Sequence, residues 1–149
     1  MCIRDSPFIT ARALTTADLV SGGRVEFGIG ASWLSEEWEA MELPFETRGR
    51  RVDESIEVIR RLFNEDVIEH EGEFFCFQPV GFQPKPIHGS IPFHIGGDSS
   101  AAVRRAARLG DGWIPMAPVS YTHLDVYKRQ VHMDAQGGIP EGNRNRTDS

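Results

Sequence analysis

The sequence predicts an α/β fold, and three stretches carry that prediction. "RVEFGIG" alternates Val25, Phe27 and Ile29 with Glu26, Gly28 and Gly30, the period of a strand with two unlike faces. "RRVDESIEVIRRLF" repeats Val52, Ile56, Ile59 and Phe63 at spacings of four, three and four, the stripe of an amphipathic helix. "IPFHIGGDSSAAVRRAARLGDGWIPM" reads as strand, helix and strand with short connections, which requires parallel strands and a right-handed crossover.

The remaining elements follow in order. "FITARALTTADLVSGGR" has helical spacing, with Phe8, Ala11, Leu14 and Leu19 expected on one face and Gly22-Gly23 as the stop. The glycines of "RVEFGIG" suit either a crowded interior or the close approach of a ligand to the backbone. "SWLSEEWEAMEL" predicts a short helix with Ser35 as cap and Glu36 and Glu37 in its first turn, where negative charge suits the helix dipole. Arg50, Asp53, Glu57 and Arg60 fall on or near the side of the main helix away from its apolar stripe. "HEGEFF" reads as a hairpin turn, and Pro79, Pro84, Pro86 and Pro92 then hold the chain extended. The last helix is expected to start at an Asp98 or Ser99 cap, to turn Ala102, Val103 and Ala106 inward, and to stop at Gly110.

Bulk properties narrow the function classes. The 149 residues carry a net charge of −6, which matches neither nucleic acid nor an anionic membrane surface. No apolar run approaches the roughly 20 residues of a membrane span, and no apolar secretory core follows the start, so a cytoplasmic location is expected. There are two cysteines, too few for a disulfide framework or a zinc cluster. Cys76, in the apolar run "FFCFQ", is expected to be a buried, inert thiol.

Two stretches follow a different logic. "DVYKRQ" can be written GAT GTG TAT AAG AGA CAG. One base along, the same DNA reads ATG TGT ATA AGA GAC AG, which encodes Met1, Cys2, Ile3, Arg4 and Asp5 and begins a Ser6 codon. "VSYTHL", written GTC TCT TAT ACA CAT CTA, is the reverse complement of that DNA within the overlap. Residues 1–6 and 119–130 are therefore expected to be copies of one short DNA element resembling the transposon-end adapter of sequencing libraries, and to lie outside any fold. A genuine amphipathic tail is the alternative, but it leaves the shared DNA unexplained. Residues 131–149, rich in Gly, Asn, Asp and Arg without apolar periodicity, read as a disordered or chimeric tail. Residues 7–118 are the informative part.

Within that part, "IGGDSSAAV" is the best local site signal. A strand ends, two glycines turn and a helix begins with unpaired amides, a geometry that accepts a phosphate. An ordinary turn whose polar cap satisfies those amides is the commoner use of such a pattern. "GIGASW" is not a dinucleotide fingerprint, because Trp33 stands where its third glycine belongs. His70, His88 and His94 lack metal-ligand spacing, and solvated or core-satisfied imidazoles are expected. Glu36 and Glu37 read as a solvated helix start. No Ser-His-Asp or Cys-His set can be assembled, and no catalytic residue is named.

Taken in order, "ALTTADLVSGGRVEFGIGASWLSEEWEAM", "TRGRRVDESIEVIRRLF", "GEFFCFQPVGFQPKPI", "IPFHIGG" and "AARLGDGWIP" resemble the luciferase-like monooxygenases, and most closely the branch that uses the deazaflavin coenzyme F420. The resemblance covers nearly all of residues 7–118. It implies a fragment of a (β/α)8 TIM barrel, approximately strands 4 to 6 with the family insertion between "RLFNED" and "IPFHIGG". Barrel sites lie at the C-terminal strand ends. The implied cofactor-binding residues are Gly30, Ala31 and Ser32 after the first strand, Ile95, Gly96, Gly97, Asp98 and Ser99 around the glycine turn, and Pro115 and Met116 after the last.

Trp33 is expected either to wall the ring or substrate pocket or simply to pack. The implied chemistry is hydride transfer between deazaflavin C5 and a small organic substrate, with FMN as the alternative cofactor. The parent protein is expected to be a homodimer by family analogy. Three barrel strands alone leave two open edges, so the chain as written is expected to be inactive and marginally stable. A non-catalytic, truncated or chimeric product is the remaining reading.

Overall fold

A computed structural model of the chain describes residues 6–116. Residues 1–5, and with them most of the first expected adapter stretch, lie outside the described residues, as do residues 117–149.

Helix α1 runs Pro7–Ser21. The Ser6 hydroxyl accepts the Phe8 amide at 3.3 Å, and Pro7 occupies the first turn, where its missing N–H costs nothing. Gly22 ends the helix in the left-handed region at φ 71°, and the Gly23 amide returns to the Asp18 carbonyl at 2.8 Å. The buried face is Pro7, Thr10, Ala11, Leu14, Thr15 and Asp18. This corrects the expected stripe. Leu19 is exposed, and Phe8 is half-buried, its ring edge-on to Phe77 with centroids 4.9 Å apart. Asp18 takes the inward place because its carboxylate accepts the distant Ile87 amide at 2.9 Å.

Strand β1 is Phe27–Ile29, shorter than the alternation suggested. Helix α2 follows at Ser35–Ala40. Ser35 does not cap it; Leu34 holds the cap position and makes no side-chain hydrogen bond there. Ser32 does the local work instead. It sits at φ +57°, accepts the Leu34 amide at 3.3 Å and donates to Glu37 Oε2 at 3.1 Å. Glu37 is therefore engaged, not merely solvated.

A 3-10 turn, Phe45–Thr47, leads into α3, Arg48–Asn64. Val52, Ile56, Ile59 and Phe63 are all buried as predicted, together with Val58 and Leu62. Burial of each such side chain contributes about 1.5–3 kcal/mol. Part of the polar side proves to be a second interface. Asp53 pairs with Arg105 and with Arg108, and Arg60 donates to Asp111 at 2.7 Å and to the Leu109 carbonyl at 3.1 Å.

The hairpin predicted at "HEGEFF" is present as β2, Val67–Glu71, antiparallel to β3, Cys76–Gly81, with an irregularity between Ile68 and His70. Cys76 is exposed, which overturns the expected buried thiol. The hairpin buries only one side, through Ile68 and Phe77, and strand alternation turns Cys76 outward. Phe82 and Ile91 then return the chain to the core.

Strand β4, Phe93–Gly96, helix α4, Ser100–Leu109, and strand β5, Gly112–Ile114, complete the fold. The sheet order is β1-β4-β5, and both pairings are parallel, as the strand–helix–strand reading required. Phe27, Ile29, Phe93 and Ile95 enter one core with α1, α3 and Ala106 of α4. Ala102 is also buried, while Val103 is only half-buried.

Asp111 fastens the near ends of β4 and β5 by accepting the Phe93 amide at 2.8 Å while paired with Arg60. Partial burial pushes its carboxyl up, but the Phe93 amide and the Arg60 guanidinium outweigh that and hold it below the ordinary carboxylate value.

Candidate active site at the strand ends

Because β1, β4 and β5 are parallel, they finish at one edge of the sheet, and the segments after them gather there. Gly30, Ala31 and Ser32 follow β1; Gly97, Asp98 and Ser99 follow Gly96 at the end of β4; Pro115 and Met116 follow β5. The last two segments are bonded together. The Gly97 amide donates to the Ile114 carbonyl at 3.1 Å, the Trp113 indole N–H donates to the Gly97 carbonyl at 2.8 Å, and the Met116 amide donates to Asp98 Oδ1 at 2.9 Å. The end of β4 lies close against β1 itself: a Cβ on Gly96 would lie 3.6 Å from the Ile29 carbonyl oxygen.

Glycine at 97 is a conformational requirement. Its φ is +125°, and an added Cβ would stand 3.0 Å from the Ala102 Cβ. Ser99 is the N-cap of α4; its hydroxyl oxygen accepts the Ala102 amide at 3.1 Å. The turn thus brings the amide-rich start of a ten-residue helix to the strand ends. Of the two expected caps, Ser99 is the one used, and the Asp98 carboxylate accepts the Met116 amide. The Ile95 side chain is buried in the core, so only its backbone faces this edge.

Three apolar side chains remain uncovered around these turns: Trp33 at 82% exposure, Met116 at 72% and Ile114 at 45%. A backbone amide cluster beside exposed apolar groups fits a ligand with a phosphate and a planar ring. A shallow apolar crevice also runs along the free side of β1, between Phe27–Gly30 and Val52, Ile56 and Ile59 of α3.

On the sheet face opposite the helices stand Gly28, His94 and Gly112, aligned by strand register. His94 Nε2 lies 3.0 Å from Glu26 Oε2 but without the alignment of a hydrogen bond. The His94 ring occupies the space a side chain at 112 would need. Sequence reasoning missed this pair and the Trp113 anchor; strand parity at His94 is the signal that points to the face. His70 is bonded to Glu54, and His88 is exposed. Among the described residues no group of three His, Cys, Asp or Glu is placed to hold a metal, and no helix is long and apolar enough to cross a membrane.

A sequence profile of the luciferase-like monooxygenases matches residues 2–132. An uncharacterised protein of Mycobacterium tuberculosis is 41% identical over 112 residues, which is 75% of this chain and 38% of the relative. The 5,10-methylenetetrahydromethanopterin reductase of Archaeoglobus fulgidus is 38% identical over 109 residues, 72% of this chain and 31% of the relative. The FMNH(2)-dependent dimethylsulfone monooxygenase of Pseudomonas putida is 31% identical over 110 residues, 71% of this chain and 30% of the relative.

Among solved structures, the coenzyme F420 dependent tetrahydromethanopterin reductase of Methanopyrus kandleri superposes with a TM-score of 0.72 at 24% identity, over 89% of this chain and 42% of that one. The chain thus spans well under half the length of the relatives it matches, and its fold is that of part of their barrel. On the ordered motifs, the three parallel strands and the profile match, the chain belongs to the luciferase-like monooxygenase family.

Proposed function

We propose that residues 7–118 are the central part of an F420-dependent oxidoreductase that transfers a hydride between deazaflavin C5 and a small organic substrate. The observation that carries this reading is the Gly96–Ser99 turn, which brings the start of α4 to the sheet edge where the segments bearing the exposed Trp33, Ile114 and Met116 also emerge. The deazaflavin, when bound, supplies the redox chemistry. The α4 amides and the Ser99 hydroxyl would hold its phosphate, and Gly97 keeps that approach free of a side chain. Gly30, Ala31, Ser32, Pro115 and Met116 would border the ring, with Trp33 as an apolar wall that excludes water from the transferred hydride. The acid or base of the reaction is not assigned to any residue of this chain.

FMN is the second reading. The FMNH(2)-dependent relative favours it, and the same turn suits either phosphate. Titrating the parent protein separately with F420 and FMN, by cofactor fluorescence, decides between them. Binding of F420 alone is the expected result, weakened several-fold in Ser99→Ala. Binding of FMN alone would transfer the proposal to the flavin, and binding of neither would overturn it.

The proposed limits of the enzyme part have their own test. The relatives align over 109 to 112 residues, which suits residues 7–118, although the family profile runs on to residue 132. Sequencing source DNA outward from the codons for residues 7–118 should show further barrel units in frame and no "VSYTHLDVYKRQ". A genomic frame that does encode residues 119–149 would make the chain a real product with a different role.

A further inference from the structure

The β2–β3 hairpin is tied to α3 through one carboxylate. Glu54 stands on the second turn of α3, with its side chain 11% exposed. Its oxygens accept the Phe74 amide at 2.9 and 3.2 Å and the Phe75 amide at 2.9 Å, and His70 Nε2 lies 3.1 Å from Oε1. A carboxylate this far out of water needs donors that replace its hydration. Here those donors all come from the hairpin. Two successive backbone amides aimed at one acceptor form a small anion nest. His70 can donate through Nε2 as the neutral Nε2–H tautomer or as the cation, and its ring stacks on Phe77 with centroids 5.8 Å apart.

The surroundings are shaped to the same contact. A side chain on Gly72 would overlap Glu54 Oε1 and His70 Nε2. The Arg51 guanidinium covers the Phe74 ring at 4.5 Å, and Arg50 pairs with Glu73 at 3.0 Å. Helices α3 and α4 run in the same direction: Arg60, late in α3, meets Leu109 and Asp111, whereas Gly49, at its start, meets Arg105. The early turns of α3 therefore lie toward the end of the sheet where the strands finish, and the hairpin tip is held there.

We infer that Glu54 is a charge-dependent clasp: it fixes the hairpin tip at the site end of the helix layer, and loss of its charge frees the tip while the parallel sheet stays folded. The release is local because β4 and the main core stand on contacts the hairpin tip does not make. Phe93 and Ile95 pack with Val52, Ile56 and Ile59.

Amide hydrogen exchange on the 149-residue chain tests this. In Glu54→Gln the Phe74 and Phe75 amides should exchange at least about tenfold faster, with Ile95 unchanged, because the amide of glutamine cannot accept on both arms. Gly72→Ala keeps the charge but crowds the acceptor, and should produce the same local acceleration. Equal acceleration at Ile95, collapse of the whole fold in Glu54→Gln, or unprotected Phe74 and Phe75 amides in the unsubstituted chain would each overturn the clasp.

Discussion

Against the helices, Phe27, Ile29, Phe93 and Ile95 are each at most 9% exposed, whereas the other face of the same strands carries Glu26, Gly28, His94, Gly96, Gly112 and the half-exposed Ile114. The first face is complete within this chain: α1, α3 and α4 supply its apolar partners. The second is built from small and ionisable groups and finds no such cover among the described residues. That asymmetry is what a segment of a (β/α)8 barrel requires. The outer face packs on its own helices, and the inner face meets side chains from strands across the barrel axis. Burial against the helices is therefore settled by segments of this chain, whereas the opposite face stays uncovered among the described residues.

Substitutions on the two faces should separate sharply. Phe93→Ala opens a cavity beside Phe27 and Phe63, whose rings stand 5.5 and 6.3 Å away, and costs about 3–5 kcal/mol. That exceeds what a three-stranded piece with open edges has to spare, so near-ultraviolet circular dichroism should show loss of fixed tertiary structure. Survival of a cooperative transition would mean the helix-facing core is not the dominant support.

Gly97→Ala acts at the site edge, where φ is +125°, and should cost about 1–3 kcal/mol by denaturant titration. A neutral result would show that the turn relaxes without glycine.

Asp111 gives a pH signature. Its folded-state pKa is depressed, so its contribution is present above the unfolded value of about 3.9 and is lost as pH falls through the lower folded value. Asp111→Asn should flatten the stability profile in that acid window. An unchanged slope would remove Asp111 as the link between β4 and β5.

The smallest effect belongs to the open face. A Cβ on Gly28 would meet nothing closer than the Ile114 Cδ1 at 3.8 Å, so Gly28→Ala should change stability by less than about 0.5 kcal/mol. A large loss there would mean the inner face is already packed within this chain.

Legibility followed the range of the interaction. The α3 stripe of Val52, Ile56, Ile59 and Phe63 was readable because helix period is set within a few residues. The Ser99 cap and Gly97 turn were readable for the same reason. The anchors were not. Asp18 reaches the Ile87 amide, Glu54 the Phe74 amide, Asp111 the Phe93 amide and Trp113 the Gly97 carbonyl, across 69, 20, 18 and 16 residues respectively. A side chain bonded to distant backbone leaves no periodic trace. The apolar run around Cys76 misled because apolar neighbours on a one-sided hairpin do not bury alternate positions.

By itself, then, the sequence determined the α/β class, the identity of each major element, the motif order that marks the family and the glycine turn at the strand ends. These rest on covalent geometry, on alternation and on chain-local bonds. Only the tertiary structure decided that Gly28, His94 and Gly112 share one row, that Asp98 holds Met116 and that Glu54 holds the hairpin. Those depend on which distant segments pair and in what register, and such contacts exist only once the chain has closed the loops between them.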